Sequence, residues 1–274
     1  MVERPLILLS NDDGYRARGL AVLRQALLAL GDVVVCAPEA EQSASSHGLT
    51  LHRPLRLHAH EPGVFSVDGT PADCVYLALF SEGRILSRRP SLVVSGLNHG
   101  LNLGDDVHYS GTVAAAREGA LRGVAAMALS ASPTTDLDAA ARVAAALAHA
   151  VLDSEAPPRL INVNFPPGDA WPLRVTRPGR RIYADGVVVR KDPRGREYFW
   201  LGMPGITHEP LEGSDTEAFD AGIVGVTPLG MQQYAPAEQS QVAALLEQVA
   251  RLVQTRGREG APGAPSPQER HADS

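Results

Sequence analysis

Short, unbroken apolar runs alternate with stretches of helical spacing along the N-terminal part of the chain. Pro5–Ser10 (PLILLS) is apolar almost throughout, the mark of a strand buried on both faces. Ala17–Leu30 then puts Leu20, Leu23, Leu27 and Leu30 on one helical stripe, and Gly31 follows as a C-terminal stop. Asp32–Ala37 (DVVVCA) is a second buried run. Strand, helix and strand joined by short connections make a βαβ unit, which implies a parallel sheet.

The alternation continues. Thr70-Pro71-Ala72-Asp73 opens a helix with a capping threonine, a proline at the first helical position and an acidic residue three after the cap, and the helix runs to Phe80. SLVVS (91–95), VAAMALS (124–130) and RLINVNF (159–165) read as strands, with helices over Thr112–Arg122 and Leu137–Leu152 between them. Residues 1–165 therefore predict a doubly wound, Rossmann-like α/β core with a mostly parallel sheet.

Residues 166–256 read differently, as a smaller region of β-hairpin and helix. VVVRKDPRGREYFWL (187–201) alternates, breaks at Asp192-Pro193-Arg194-Gly195 and alternates again, the pattern of a hairpin with a four-residue connection. It carries Tyr198, Phe199 and Trp200, a cluster that either packs on its own domain or is buried by a partner subunit. Ala237–Arg256 is an amphipathic helix with Val242, Leu245, Leu246, Val249, Leu252 and Val253 on its apolar face. Residues 257–274, rich in Gly, Pro and charge, are expected to be a disordered tail.

Composition removes several classes of chemistry. Of 25 basic residues only Lys191 is lysine, and no GxxxxGK[ST] motif exists, so a P-loop is excluded and a Schiff-base enzyme would have to use Lys191. Cys36 and Cys74 are too few for a disulfide framework or a four-cysteine zinc site, and both sit in apolar runs as buried thiols. A net charge of −6 offers no general attraction to duplex nucleic acid or to anionic membrane. No apolar run approaches the ~18 residues of a membrane span, and Pro5–Leu9 is too short for a signal-peptide core. The expectation is a soluble protein of the reducing cytoplasm.

Doubly wound sheets bind ligands beyond the carboxyl ends of their strands, and three loops there are unusually polar. Ser10-Asn11-Asp12-Asp13-Gly14 follows the first strand, where a dinucleotide fold would place glycines. Two adjacent carboxylates repel a phosphate by ~4 kcal/mol each at 4 Å and an effective dielectric of 20. A divalent cation reverses that, and hard oxygen ligands favour Mg²⁺, Mn²⁺ or Ca²⁺. The alternative is an Asx-rich turn capping the next helix. The second loop, Glu39–Gly48, offers Ser43, Ser45, Ser46 and His47, or is merely a flexible polar segment. The third, Ser95 to Thr112, combines four glycines and two asparagines and ends in Ser110-Gly111-Thr112 at a helix N-terminus, where free N–H groups favour an anion.

Taken together, SNDDGYRARGL, the serine loop, DGTPADCV (68–75) and SGLNHGLNLGDDVHYSGTVAAAREGA (95–120) resemble the SurE family of metal-dependent nucleotidases, and GSDTEAFDAGIVGVTPL (213–229) resembles the family's closing segment. The resemblance implies one divalent ion per subunit, Mg²⁺ or Mn²⁺, held by Asp12, Asp13, Ser43 and Asn98. It implies catalysis by Asp12, Asp13 and Asn98, and a phosphate pocket lined by Asn11, Gly100, Asn102, Ser110, Gly111 and Thr112. His99 stands where the family pattern suggests a small residue. Asp106 matches an acidic position, read here as orienting its loop through backbone N–H groups. The implied reaction is attack of metal-activated water on nucleoside 5′-monophosphates, with 3′-monophosphates and short polyphosphate as further substrates. A homodimer or homotetramer built through the C-terminal hairpin and helix is also implied.

Rival readings fit less well. An aspartyl-phosphate phosphatase expects Asp-x-Asp and a later lysine, and a receiver-type signalling domain also expects the lysine. A non-catalytic, oligomeric module that senses nucleotide or metal remains the alternative.

Overall fold

The computed structural model describes residues 3–183, 186–201 and 205–259, with side chains described through Val249. The chain forms two compact units, residues 1–231 and 232–274.

The first unit begins β1 (Leu6–Ser10), α1 (Arg18–Leu27), β2 (Asp32–Pro38), β3 (Leu57–Glu61), β4 (Val64–Val67), α2 (Pro71–Phe80) and β5 (Leu92–His99). A 3₁₀ turn (Gly104–His108), α3 (Gly111–Leu121), β6 (Ala125–Ala131), α4 (Leu137–Asp153) and β7 (Leu160–Phe165) follow. Then come β8 (Leu173–Val175), β9 (Arg181–Tyr183), β10 (Val187–Lys191), β11 (Glu197–Leu201), β12 (Ile206–His208), α5 (Asp215–Asp220) and β13 (Val224–Pro228).

Nine strands form one sheet in the order β3-β4-β2-β1-β5-β6-β7-β13-β8. From β4 to β7 every neighbouring pair is parallel, while β3 and β13 each run antiparallel to a neighbour. This is the expected mostly parallel α/β architecture. Both faces are covered, which is why the strands read as unbroken apolar runs. Ile7 and Leu9 of β1 pack into one core with α1 and α4, while Leu6 and Leu8 pack into a second with α2 and α3. The chain adds β2 on one side of β1 and later β5 on the other, so the strand order reverses between β1 and β5. A crevice at their carboxyl ends follows from that topology.

The sheet continues past Phe165 through β13 and β8. The hairpin is present as β10 and β11, with Val187 opposite Leu201 and Lys191 opposite Glu197. Its connection runs from Asp192 to Arg196, longer than expected, because the Asp192 carboxylate accepts the N–H groups of both Arg194 (2.8 Å) and Arg196 (2.9 Å). Tyr198, Phe199 and Trp200 are exposed. A further antiparallel pair, β9 with β12, was not evident in the sequence.

The second unit contains a 3₁₀ turn (Pro236–Glu238) and α6 (Gln239–Glu259), which runs past Arg256. Val242, Leu245, Leu246 and Val249 are exposed. The side chains of Leu252 and Val253, and residues 260–274 of the expected tail, lie outside what is described. Among the described residues no helix is long and apolar enough to cross a membrane.

α2 shows how local sequence chemistry sets an element. Thr70 Oγ accepts Asp73 N–H (3.1 Å) while the Asp73 carboxylate accepts Thr70 N–H (2.9 Å), a reciprocal cap. Thr70 also donates to Gly48 O (2.7 Å), so the same cap anchors the end of the serine loop. Thr70→Ala should lower unfolding stability by about 1 kcal/mol in urea titration, and Thr70→Ser should retain most of it.

Candidate active site

The crevice at the β1–β5 switch point gathers three loops. After β1, Asp12 is 6% exposed, and its carboxylate accepts the Thr112 hydroxyl at the start of α3. Its carbonyl accepts Gln42 N–H (2.8 Å), tying in the serine loop. Gly111 explains itself here: a Cβ at that position would lie 2.9 Å from Asp12 Cβ and 2.8 Å from Ser45 Oγ, so only glycine lets α3 approach.

Burial raises the Asp12 pKa to about 6, with neighbouring Asp13 adding to the rise, while the Thr112 hydroxyl and backbone N–H oppose it. Burial also raises Asp13, opposed by the His99 N–H, which donates to its carboxylate at 3.1 Å. No lysine or arginine stands among the groups that shift either carboxylate.

A cavity of about 370 Å³ is lined by Asp12, Ser43, Asn98, Asn102 and Ser110, together with Asp106, Tyr109 and Tyr183 among others. Asp13, Asn98 and His99 line a neighbouring cavity of about 490 Å³ against the starts of α1 and α4. Asn98 Nδ2 donates to Gly100 O (3.0 Å), and Ser43 Oγ donates to Glu41 (2.7 Å). Ser110 caps α3 by accepting Val113 N–H (3.1 Å).

The remaining expected pocket residues are not among the lining of either cavity. Asn11 is buried and donates to Gly14 O (3.0 Å), with its Oδ1 lacking a partner among the described residues. Gly100 makes a bridge to Ala131, Gly111 packs on Asp12, and Thr112 holds the Asp12 carboxylate.

Three buried networks were not expected from the sequence. Asn102 donates through its backbone to Asn164 (2.8 Å) and through its side chain to Ser130 (2.7 Å), and its carbonyl accepts Asn162 (2.7 Å) and Asn164 (3.0 Å). The only signal was a pair of asparagines in the otherwise apolar run of β7. Asp106 accepts Arg181 and the Tyr183 hydroxyl, so its carboxylate takes side chains from β9 rather than backbone N–H groups of its own loop. Asp215, in the GSDT segment, accepts Gly104 N–H (3.0 Å) and Gly179 N–H (2.7 Å). Gly104 has φ +52°, and a Cβ there would lie 2.4 Å from Gly179 O.

The serine loop is pinned. Ser46 N–H donates to Tyr109 O (2.9 Å), Ser46 Oγ to His108 O (2.7 Å), and His47 pairs with Glu118 (2.8 Å), which also holds Arg122 (2.7 Å).

The arrangement suits a hard divalent cation. Among the described residues no three His, Cys, Asp or Glu side chains gather as a metal set. The oxygens on offer are instead two carboxylates with a hydroxyl and an amide, and the groups that lower the carboxylates are the Thr112 hydroxyl, backbone N–H groups and, at Asp13, His99, with no lysine or arginine among them.

The fold and site define a doubly wound α/β protein with an acidic pair at its switch point, facing a helix N-terminus. The family model described as survival protein SurE matches residues 7–185. The chain is 57% identical over 248 residues to the 5′-nucleotidase SurE of Sorangium cellulosum, covering 89% of this chain and 96% of that protein. It is 50% identical over 228 residues to the 5′-nucleotidase SurE of Myxococcus xanthus, covering 81% and 86%. The crystal structure of the SurE protein from Aquifex aeolicus superposes with a TM-score of 0.76 at 37% identity, covering 88% of this chain and 99% of that one. The chain belongs to the SurE family.

Glu118 supplies a pH test of the loop anchor. Burial pushes its pKa up, but His47 and Arg122 outweigh this and hold it below the usual value of 4.5. A lowered folded pKa stabilises above the unfolded value and is lost as pH falls through the folded one. Glu118→Gln should therefore destabilise the fold at pH 7 and weaken the loss of stability below about pH 4.5, read by thermal unfolding across pH.

Proposed function

We propose that the chain is a divalent-metal-dependent phosphomonoesterase that hydrolyses nucleoside 5′-monophosphates to nucleoside and phosphate. The observation that carries this reading is the buried Asp12 carboxylate with the half-buried Asp13 beside it, both raised by burial with no lysine or arginine among the groups that shift them, next to a cavity lined by Asp12, Ser43, Asn98 and the α3 cap Ser110. The names of the relatives support the substrate class.

Asp12, Asp13, Ser43 and Asn98 would hold the cation, Mg²⁺ or Mn²⁺, one per subunit. When bound, it supplies Lewis-acid polarisation of a phosphoryl oxygen and favours ionisation of water. Thr112 fixes the Asp12 carboxylate, and the His99 N–H fixes Asp13, so both ligands are held before binding. Asn98 donates to Gly100 O, which orients its Oδ1 as the free acceptor. Ser110, the cap of α3, lines the cavity and would meet the anion at a helix terminus whose dipole favours negative charge. Asn102 is locked by its network and shapes the far wall. 3′-Monophosphates and short polyphosphate are proposed as further substrates.

A nucleotide panel with and without chelator, with each metal restored in turn, tests the reading. Phosphate release should require the cation, and Asp12→Asn should abolish it. Absence of release from every nucleoside monophosphate with Mg²⁺ and Mn²⁺ would favour a sensing module. Thr112→Val should weaken metal affinity by roughly 10- to 100-fold, read by titration calorimetry.

We also propose assembly as a homodimer or homotetramer through the hairpin and α6, supported by the exposed Phe199, Trp200 and Leu201 and by the exposed apolar face of α6. Light scattering of a variant lacking residues 187–201 should show a smaller species than the full chain.

A further inference from the structure

We infer that Tyr109 and Tyr183 form a stacking subsite for the nucleobase of the substrate, at the rim of the cavity that contains Asp12 and Asn98. The inference rests on the phosphomonoesterase reading above and adds the part of the substrate that the phosphate site does not recognise.

Both tyrosines line the same cavity as Asp12, Asn98 and Ser110, and neither belongs to a packed core. Their exposures are 67% for Tyr109 and 44% for Tyr183, so both rings keep open surface. The Tyr109 backbone and the Tyr183 hydroxyl are nonetheless fixed. Tyr109 N–H donates to Asp106 O (3.0 Å), and Tyr109 O accepts Ser46 N–H (2.9 Å). The Tyr183 hydroxyl donates to the Asp106 carboxylate, which also holds Arg181. Asp106 thus holds the backbone of one tyrosine and the hydroxyl of the other. Burial and the Asp106 charge push the Tyr183 hydroxyl up to about 12, so the ring stays neutral. Exposed aromatic faces beside a phosphate site suit a planar heterocycle, and stacking tolerates any base because every base has a π-face.

The neighbouring cavity is a poorer home for the base. Among the described residues no Phe, Tyr or Trp lines it, and Asp13, Asp136 and Asp138 there face Arg18 and His99. It offers no aromatic face and a net negative wall to an anionic ligand.

The test compares kcat/KM for adenosine 5′-monophosphate with that for ribose 5-phosphate, which lacks the base. Stacking on an aromatic side chain is worth roughly 5- to 150-fold. The ratio of the two values should fall by about tenfold in Tyr109→Leu and in Tyr183→Leu. Tyr109→Phe, which keeps the ring and every hydrogen bond described for Tyr109, should hold the wild-type ratio. A ratio unchanged in both leucine variants, including equal losses on both substrates, overturns the subsite. If the wild type releases phosphate from neither compound, the phosphomonoesterase reading fails separately. The subsite is then judged by calorimetric affinities for the same two compounds in the same variants, where equal weakening again overturns it.

Discussion

The contact between Asp12 and Thr112 is the point on which the site depends. Through it the end of β1 meets the start of α3, and the Asp12 carbonyl brings the serine loop to the same place. The approach is close enough that Gly111 has no room for a side chain. A carboxylate buried this deeply, with a second beside it, is unfavourable as an ion, and the rise of Asp12 to about 6 expresses that. The fold accepts a deficit of lysine and arginine around this charge, at the crevice that its strand order creates. A site that binds a cation has use for such a deficit.

Polar networks carry the site's rigidity outward. The Asn102, Ser130, Asn162 and Asn164 cluster joins the glycine-rich loop to the ends of β6 and β7. Asp215 joins the same loop to the segment before β9, and Asp106 joins it to β9 itself. Satisfied buried networks fix a unique geometry, because breaking one partner leaves another polar group unpaired. The loop is long and rich in glycine, yet its carboxylates and asparagines are tied to elements far along the chain.

The core strands were legible because burial on two faces leaves an unbroken apolar run, and Leu20, Leu23 and Leu27 mark α1 by period alone. β3 was silent for the opposite reason. Its residues Leu57–Glu61 are all exposed at the sheet edge and include two histidines and a glutamate, so no apolar pattern survives. The Asp-Asp and SGT motifs were visible as unusual chemistry at strand ends. What composition and spacing did not reveal was partnership across distance: Asp106 with Tyr183, Asp215 with Gly104, and Thr112 with Asp12 are separated by 77, 111 and 100 residues. A motif announces a residue type, whereas its partner is set by the tertiary path.

On the proposed reading, the charge balance of the cavity ties substrate recognition to the cation. Lys191 lies in the hairpin at 4.0 Å from Glu197, and Arg181, which approaches the cavity, is already paired with Asp106. No lysine or arginine is among the groups that shift Asp12 or among the residues that line its cavity. The α3 N-terminus contributes roughly half an elementary charge, too little against two carboxylates. On the reading proposed above, the cation must enter before or with the phosphate, since each makes the other's site electrostatically favourable. Such binding is reciprocal: the factor by which the cation tightens the phosphate equals the factor by which the phosphate tightens the cation.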